Sequence, residues 1–135
     1  MRAILYEVFS SIREGMESEE MTDRHLKSSE KLFLRFTKLI LDEDLISRKL
    51  ESYAEQLCVT SKYLSHICRM ECGKTATAII NEVMNERIRY YLEFTDLTIK
   101  EIASELDFPN LSFFGKYVKK HLGKSPKHYR NAIES

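Results

Sequence analysis

The stretch TIKEIASELDF, residues 98–108, decides how the rest of the chain is read. Ile99, Ile102, Ala103 and Leu106 stand at i, i+3, i+4 and i+7, the spacing of one apolar face on a short helix. Thr98 followed by Glu101 is a capping box: the hydroxyl accepts a first-turn N–H while the carboxylate reaches back, so a helix begins at Ile99. Forty-nine residues earlier Leu50, Tyr53, Ala54 and Leu57 repeat the spacing, so one buried helix face is used twice. Each copy continues through a turn into a second stripe, Leu64, Ile67 and Cys68 in the first and Phe114, Tyr117 and Val118 in the second. These stripes are 50 residues apart, which places one extra residue in the second turn. Thr60 and Asn110 are the expected caps of the second helices, and Gly73 and Gly123 supply the left-handed residue that ends them.

Between the copies, Thr77 to about Leu92 holds no Gly or Pro and carries Ile80, Val83, Met84, Ile88 and Tyr91 on one face, which predicts a single linking helix. Its sixteen residues span about 24 Å, a length on the scale of the roughly 34 Å between successive major-groove faces of B-DNA. Ser125-Pro126 opens a short last helix through Tyr129, Ser as cap and Pro at the tolerated first position. Upstream, Ile4, Leu5, Val8, Phe9, Ile12 and Met16 form one apolar stripe, and Leu32, Phe33, Phe36, Leu39, Ile40 and Leu41 another. Gly15 and the polar run 17–27 separate them, with Ser28 or Ser29 as cap of the second helix. The expectation is an all-α chain: a helical hairpin over 1–46, then two helix-turn-helix units joined by a linker helix over 47–131. The hairpin reads as a structural appendage, or as a self-association surface because two such stripes need a cover.

Composition narrows the function. Of 135 residues 43% are apolar and 31% charged, with 4 Gly and 2 Pro, as expected of a helix-rich domain. Lys plus Arg and Asp plus Glu both number 21, which excludes a uniformly basic coat. Residues 1–46 nevertheless carry a net −3 and residues 47–135 a net +3, so a local basic surface survives. No apolar run approaches a membrane span or a signal-peptide core, which points to the cytoplasm and to no membrane partner. Cys58, Cys68 and Cys72 do not match zinc-ligand spacing and read as reduced thiols, Cys68 in the core.

A short helix, a tight turn and a longer helix make a helix-turn-helix unit. Two such units, together with YAEQLCVTSKYLSHICRMECGKT at 53–75, TIKEIASELDF at 98–108 and FFGKYVKKHLGKSPKHYR at 113–130, resemble the AraC-type (AraC/XylS) transcriptional regulators across roughly residues 48–130. The resemblance implies double-stranded DNA as partner and a second helix of each unit lying in the major groove. It makes Ser61, Lys62, Ser65, His66 and Arg69 the candidate readers in the first unit. In the second they are Leu111, Ser112, Gly115, Lys116 and Lys119, with Lys124 and Lys127 as further basic contacts. Helical geometry turns Phe114, Tyr117 and Val118 inward opposite them. The chain departs from the family pattern at Asp107, where a Gly commonly precedes the aromatic, and at His66, shorter than the basic residue frequent there. Gly115 lowers helix stability by about 1 kcal/mol relative to Ala, and Pro109 is a turn former.

Enzymatic readings fare badly. Gly73-Lys74-Thr75 and Gly123-Lys124-Ser125 mimic the end of a phosphate-binding loop, yet Cys68 and Val118 stand where its first Gly belongs. The His residues at 25, 66, 121 and 128 are scattered, and Glu19-Glu20 reads as solvated charge. No enzyme, cofactor or metal site is expected. A regulator of this kind commonly carries a further sensing or dimerising domain, so the chain is expected to be a piece of a longer protein, with a short stand-alone regulator as the alternative. RNA polymerase and a second copy joined through the N-terminal helices are the candidate protein partners. The rival reading is a helical protein-interaction module that uses the apolar N-terminal hairpin, with the helix-turn-helix units as scaffold.

Overall fold

The computed structural model describes residues 27–42 and 46–134, and among them it contains seven helices and no strand. They are α1 (Ser28–Ile40), α2 (Leu50–Gln56), α3 (Ser61–Cys72), α4 (Ala76–Phe94), α5 (Ile99–Glu105), α6 (Leu111–Leu122) and α7 (Pro126–Glu134). The described residues form two compact units that meet within the sequence of α4, one up to Val83 and one from Met84 onward. The repeat appears as two seven-residue helices, α2 and α5, each leading into a twelve-residue helix, α3 and α6.

The turns inside the two copies match bond for bond. Cys58 N–H donates to Glu55 O and Val59 N–H to Ala54 O; Asp107 N–H donates to Ser104 O and Phe108 N–H to Ala103 O. This is the Schellman arrangement, which satisfies two of the carbonyls a helix end leaves over and requires a left-handed residue at its pivot. Cys58 (φ 57°) and Asp107 (φ 60°) fill that pivot; Asp enters the left-handed region more readily than most residues, whereas for the cysteine the sequence offered no signal. Thr60 Oγ1 then accepts from Tyr63 N–H and Asn110 Oδ1 from Phe113 N–H, starting α3 and α6 where expected. Gly73 (φ 77°) and Gly123 (φ 82°) end those helices in the left-handed region. Thr75 accepts from Ala78 N–H and Ser125 from His128 N–H, so each Gly-Lys-Thr/Ser tripeptide is the stop of one helix and the cap of the next.

In the first unit, α1 supplies part of the core. The sequence places this helix in an appendage, but Leu32, Phe33, Phe36 and Ile40 are buried in one cluster with Tyr53, Leu57, Leu64, Ile67 and Cys68. Phe36 meets the Tyr53 ring edge to face at 5.9 Å, and the Tyr53 hydroxyl donates to Ser47 O at 2.7 Å. That bond draws the segment before α2 onto the core. Helix α1 starts after Lys27 with no side-chain cap, Ser28 being its first residue, so neither Ser28 nor Ser29 plays the capping role read from the sequence. The apolar stripe of residues 4–16 and most of the polar run before α1 lie outside the described residues. Burial pushes the Cys68 thiol up to about 12, in keeping with an inert core cysteine.

In the second unit Ile88, Leu92, Ile102, Leu106, Phe108, Phe114 and Val118 are buried. Phe108 packs on Phe114 (4.8 Å) and Tyr117 (5.2 Å). Tyr117, expected to point inward like its neighbours, is only half-buried and also packs on the His121 ring at 4.2 Å. Helix α4 runs nineteen residues rather than sixteen, and α7 runs nine rather than ending at Tyr129. One side chain connects both extensions. Arg130 donates to the carbonyl oxygens of Tyr91, Leu92, Thr95 and Leu97, closing the end of α4 and the loop behind it, while the Tyr129 hydroxyl donates to Glu93 at 2.7 Å. Carbonyls at a helix C-terminus lack intrahelical partners and carry partial negative charge, so a guanidinium with a fan of donors suits them.

Candidate nucleic-acid interface

The outward side of α3 follows from what its inward side must do. Leu64, Ile67 and Cys68 are buried, so the residues displaced by about 100° per step face outward. Lys62, His66 and Arg69 are exposed and Ser61 and Ser65 half-buried. All five, with Leu50, line a single shallow groove of about 420 Å³. The structure therefore gathers every candidate reader of the first unit into one place. On α6, Phe114, Val118 and Leu122 are buried, and Leu111, Ser112, Lys116 and Lys119 are exposed. Gly115 is half-buried, and Lys124 and Lys127 are exposed beyond the end of α6.

The electrostatics differ between committed and uncommitted cations. Lys74 is held by Glu82 at 3.1 Å and Arg89 by Glu86 at 2.9 Å. Lys62, Arg69, Lys116, Lys119, Lys124 and Lys127 have no acidic partner among the described residues. Each can form an ion pair with an external phosphate without first breaking an internal one. His121 adds little to this surface, because burial, and then the neighbouring Lys120, hold its pKa below the ordinary histidine value.

Two aromatic residues were missed by sequence reading. Tyr63 and Phe113 are the third residues of α3 and α6, 50 positions apart, and remain 45% and 43% exposed. Helical spacing could have found them, since each lies on the flank of its buried stripe, four residues before Ile67 and Tyr117. Arg130 and Tyr129 were visible as part of a motif, but their task of closing α4 depends on backbone carbonyls and the Glu93 carboxylate some 35 residues away and is a tertiary fact.

Comparison with known proteins decides the family. A helix-turn-helix domain model matches residues 53–132, which covers both units from α2 into α7. The chain belongs to the AraC-type helix-turn-helix family. This AraC-type chain is 26% identical over 132 residues to the Msm operon regulatory protein of Streptococcus mutans, a match that covers 97% of the chain and 47% of that protein. It superposes on the C-terminal domain of AraT, a response regulator from Geobacillus stearothermophilus, with a TM-score of 0.61 at 29% identity, covering 80% of this chain and 88% of that one. The DNA-binding domain of AdpA, solved in complex with a target DNA, shares the fold with a TM-score of 0.60 at 16% identity, covering 81% and 95%. The AraC-type family is a DNA-binding, non-enzymatic class. The chain spans about half the length of the curated relatives it matches.

Proposed function

We propose that this AraC-type domain binds double-stranded DNA in a sequence-specific manner and regulates transcription, α3 and α6 each reading a stretch of major groove. The observation that carries the reading is the doubling: two helices with matching caps, length and burial each present an outward strip with uncommitted cations. A single solvated helix face would need no such repetition. Because both readers sit in one chain, the site need not be palindromic. Ser61, Lys62, Ser65, His66 and Arg69 serve one block and Leu111, Ser112, Gly115, Lys116 and Lys119 the other, with Lys124 and Lys127 on phosphates.

A regulator of this kind acts in the cytoplasm, where RNA polymerase is its second partner, and a second copy of the chain joins through the N-terminal segment. Among the described residues the apolar face of α1 is already spent on the first unit's core, and the stripe of residues 4–16, which this association would use, lies outside them. The same fact weakens the rival reading of the N-terminal helices as an interaction module.

Selection of bound duplexes from a random library tests the proposal. Two unequal enriched blocks about one turn apart are expected. Replacing Lys62 and His66 by Ala should relax preference in one block by about 1–3 kcal/mol per lost contact and spare the other, with the reverse for Ser112 and Lys116. No enriched sequence, or binding without salt dependence, would overturn the reading.

A further inference from the structure

The two reading helices are equivalent in backbone and unlike in chemistry. Counting along the repeat, Leu111 stands where α3 has Ser61, and Gly115 where it has Ser65; Ser112, Lys116 and Lys119 answer Lys62, His66 and Arg69. The polar strip is thus kept in both units. The neighbouring strip is hydroxyl-bearing in the first unit, whereas in the second it consists of an isobutyl group and bare backbone.

An exposed leucine alone calls for no explanation. Here Leu111 is 50% exposed in the first turn of α6, and Gly115 lies one turn further along the same flank. A Cβ placed on Gly115 would meet nothing within 4 Å, so its outer side is open space. Together they form a small apolar step beside the polar strip of Ser112 and Lys116. In the major groove the apolar feature that distinguishes one base from the rest is the 5-methyl group of thymine, and aliphatic side chains are its usual contact. A helix position without a side chain lets that methyl come closer than any other residue would allow.

Resting on the DNA-binding reading above, we infer that the Leu111–Gly115 flank of α6 is a thymine-methyl reader. The block served by the second unit therefore contains a thymine recognised through its methyl group, while the first unit, with Ser61 and Ser65 at the corresponding places, reads its block by hydrogen bonds and charge. This makes the two blocks chemically distinct and sets the direction in which the domain lies on its site.

The test uses the full chain and the duplex enriched from the library, with each thymine replaced in turn by deoxyuridine, a change that removes only the methyl. Loss of one buried methyl should weaken binding about fourfold. That loss should appear at one or two thymines in the block assigned to α6 by the Ser112 and Lys116 variants. Leu111→Ala should bind the thymine and uracil duplexes alike, since the methyl then has no partner. Gly115→Ala, which fills the open space without threatening the helix, should remove or reverse the preference for thymine. Wild-type indifference to uracil at every position, or an undiminished thymine preference in both variants, overturns the inference while leaving sequence-specific binding intact. A chain that selects no duplex overturns the DNA-binding reading and this inference with it.

Discussion

Truncating Arg130 to Ala should loosen the second unit and leave the core of the first untouched. Its guanidinium donates to Tyr91 O at 3.0 Å, Leu92 O at 3.2 Å and Thr95 O at 3.3 Å, and to Leu97 O. Hydrogen bonds that involve a charged group contribute about 1.5–3 kcal/mol each. Their simple sum overstates the effect, because the site is only partly buried, the freed carbonyls regain water, and ordering an arginine costs about 2 kcal/mol of rotamer entropy. A net loss of about 2–4 kcal/mol is the expectation. Arg130→Lys keeps the charge but offers three donors on one nitrogen instead of a planar fan of five, so it should recover less than half of the loss. Urea denaturation supplies the magnitude, and amide hydrogen exchange supplies the place. Protection should fall in α5, α6 and the end of α4 while α2 and α3 keep theirs. A loss within about 0.5 kcal/mol, the range of an ordinary surface substitution, together with unchanged exchange would refute the assignment of Arg130 as the closure of α4.

Leu64→Ala and Phe114→Ala, at two fully buried anchors of the repeat, should each cost about 2–5 kcal/mol in chemical denaturation; a negligible cost at both would undo the two-unit alignment. Asp107→Gly should raise stability by roughly 0.5–1 kcal/mol, since a left-handed pivot strains any residue with a Cβ, and thermal unfolding would register the gain. Gly115→Ala should add about 1 kcal/mol in the same assay, with open space around the new methyl, and a loss there would show that the helix is strained at that point. The Glu101 carboxylate accepts the backbone N–H of Thr98, and that bond, followed by the Thr98 side chain, holds its pKa below the ordinary glutamate value. A depressed folded-state pKa means that stabilisation present at neutral pH is lost as pH falls through that pKa. The stability gap between wild type and Glu101→Gln should accordingly narrow on going from pH 7 to pH 3, and a gap that widens would contradict the capping box.

The candidate site was legible to different depths. Caps and pivots depend on residues three to five apart, and the sequence reading placed Thr60, Thr98, Asn110, Gly73 and Gly123 where the hydrogen bonds are found. The outward residues of α3 followed from the inward ones by helical rotation, and their gathering into one groove agrees with that. Tyr117 went astray because a helical wheel assigns a face without saying how far the neighbouring element extends; its ring packs on Phe108 and His121 and stays half-buried.

Read alone, the chain determined the helices found among the described residues, the caps Thr60, Thr98, Asn110 and Ser125, the doubled helix-turn-helix pattern and the family resemblance, because all of these rest on periodicity and on contacts between near neighbours along the backbone. Tertiary structure alone decided where long-range partners lie. Helix α1 became part of the first unit's core because Phe36 found the face of Tyr53, and an amphipathic stripe carries no label for the surface that will cover it. Arg130 became the lock on α4 because folding brought its guanidinium to a row of carbonyls at the end of that helix, and a carbonyl that can take a donor leaves no trace in the side chain of the residue that bears it.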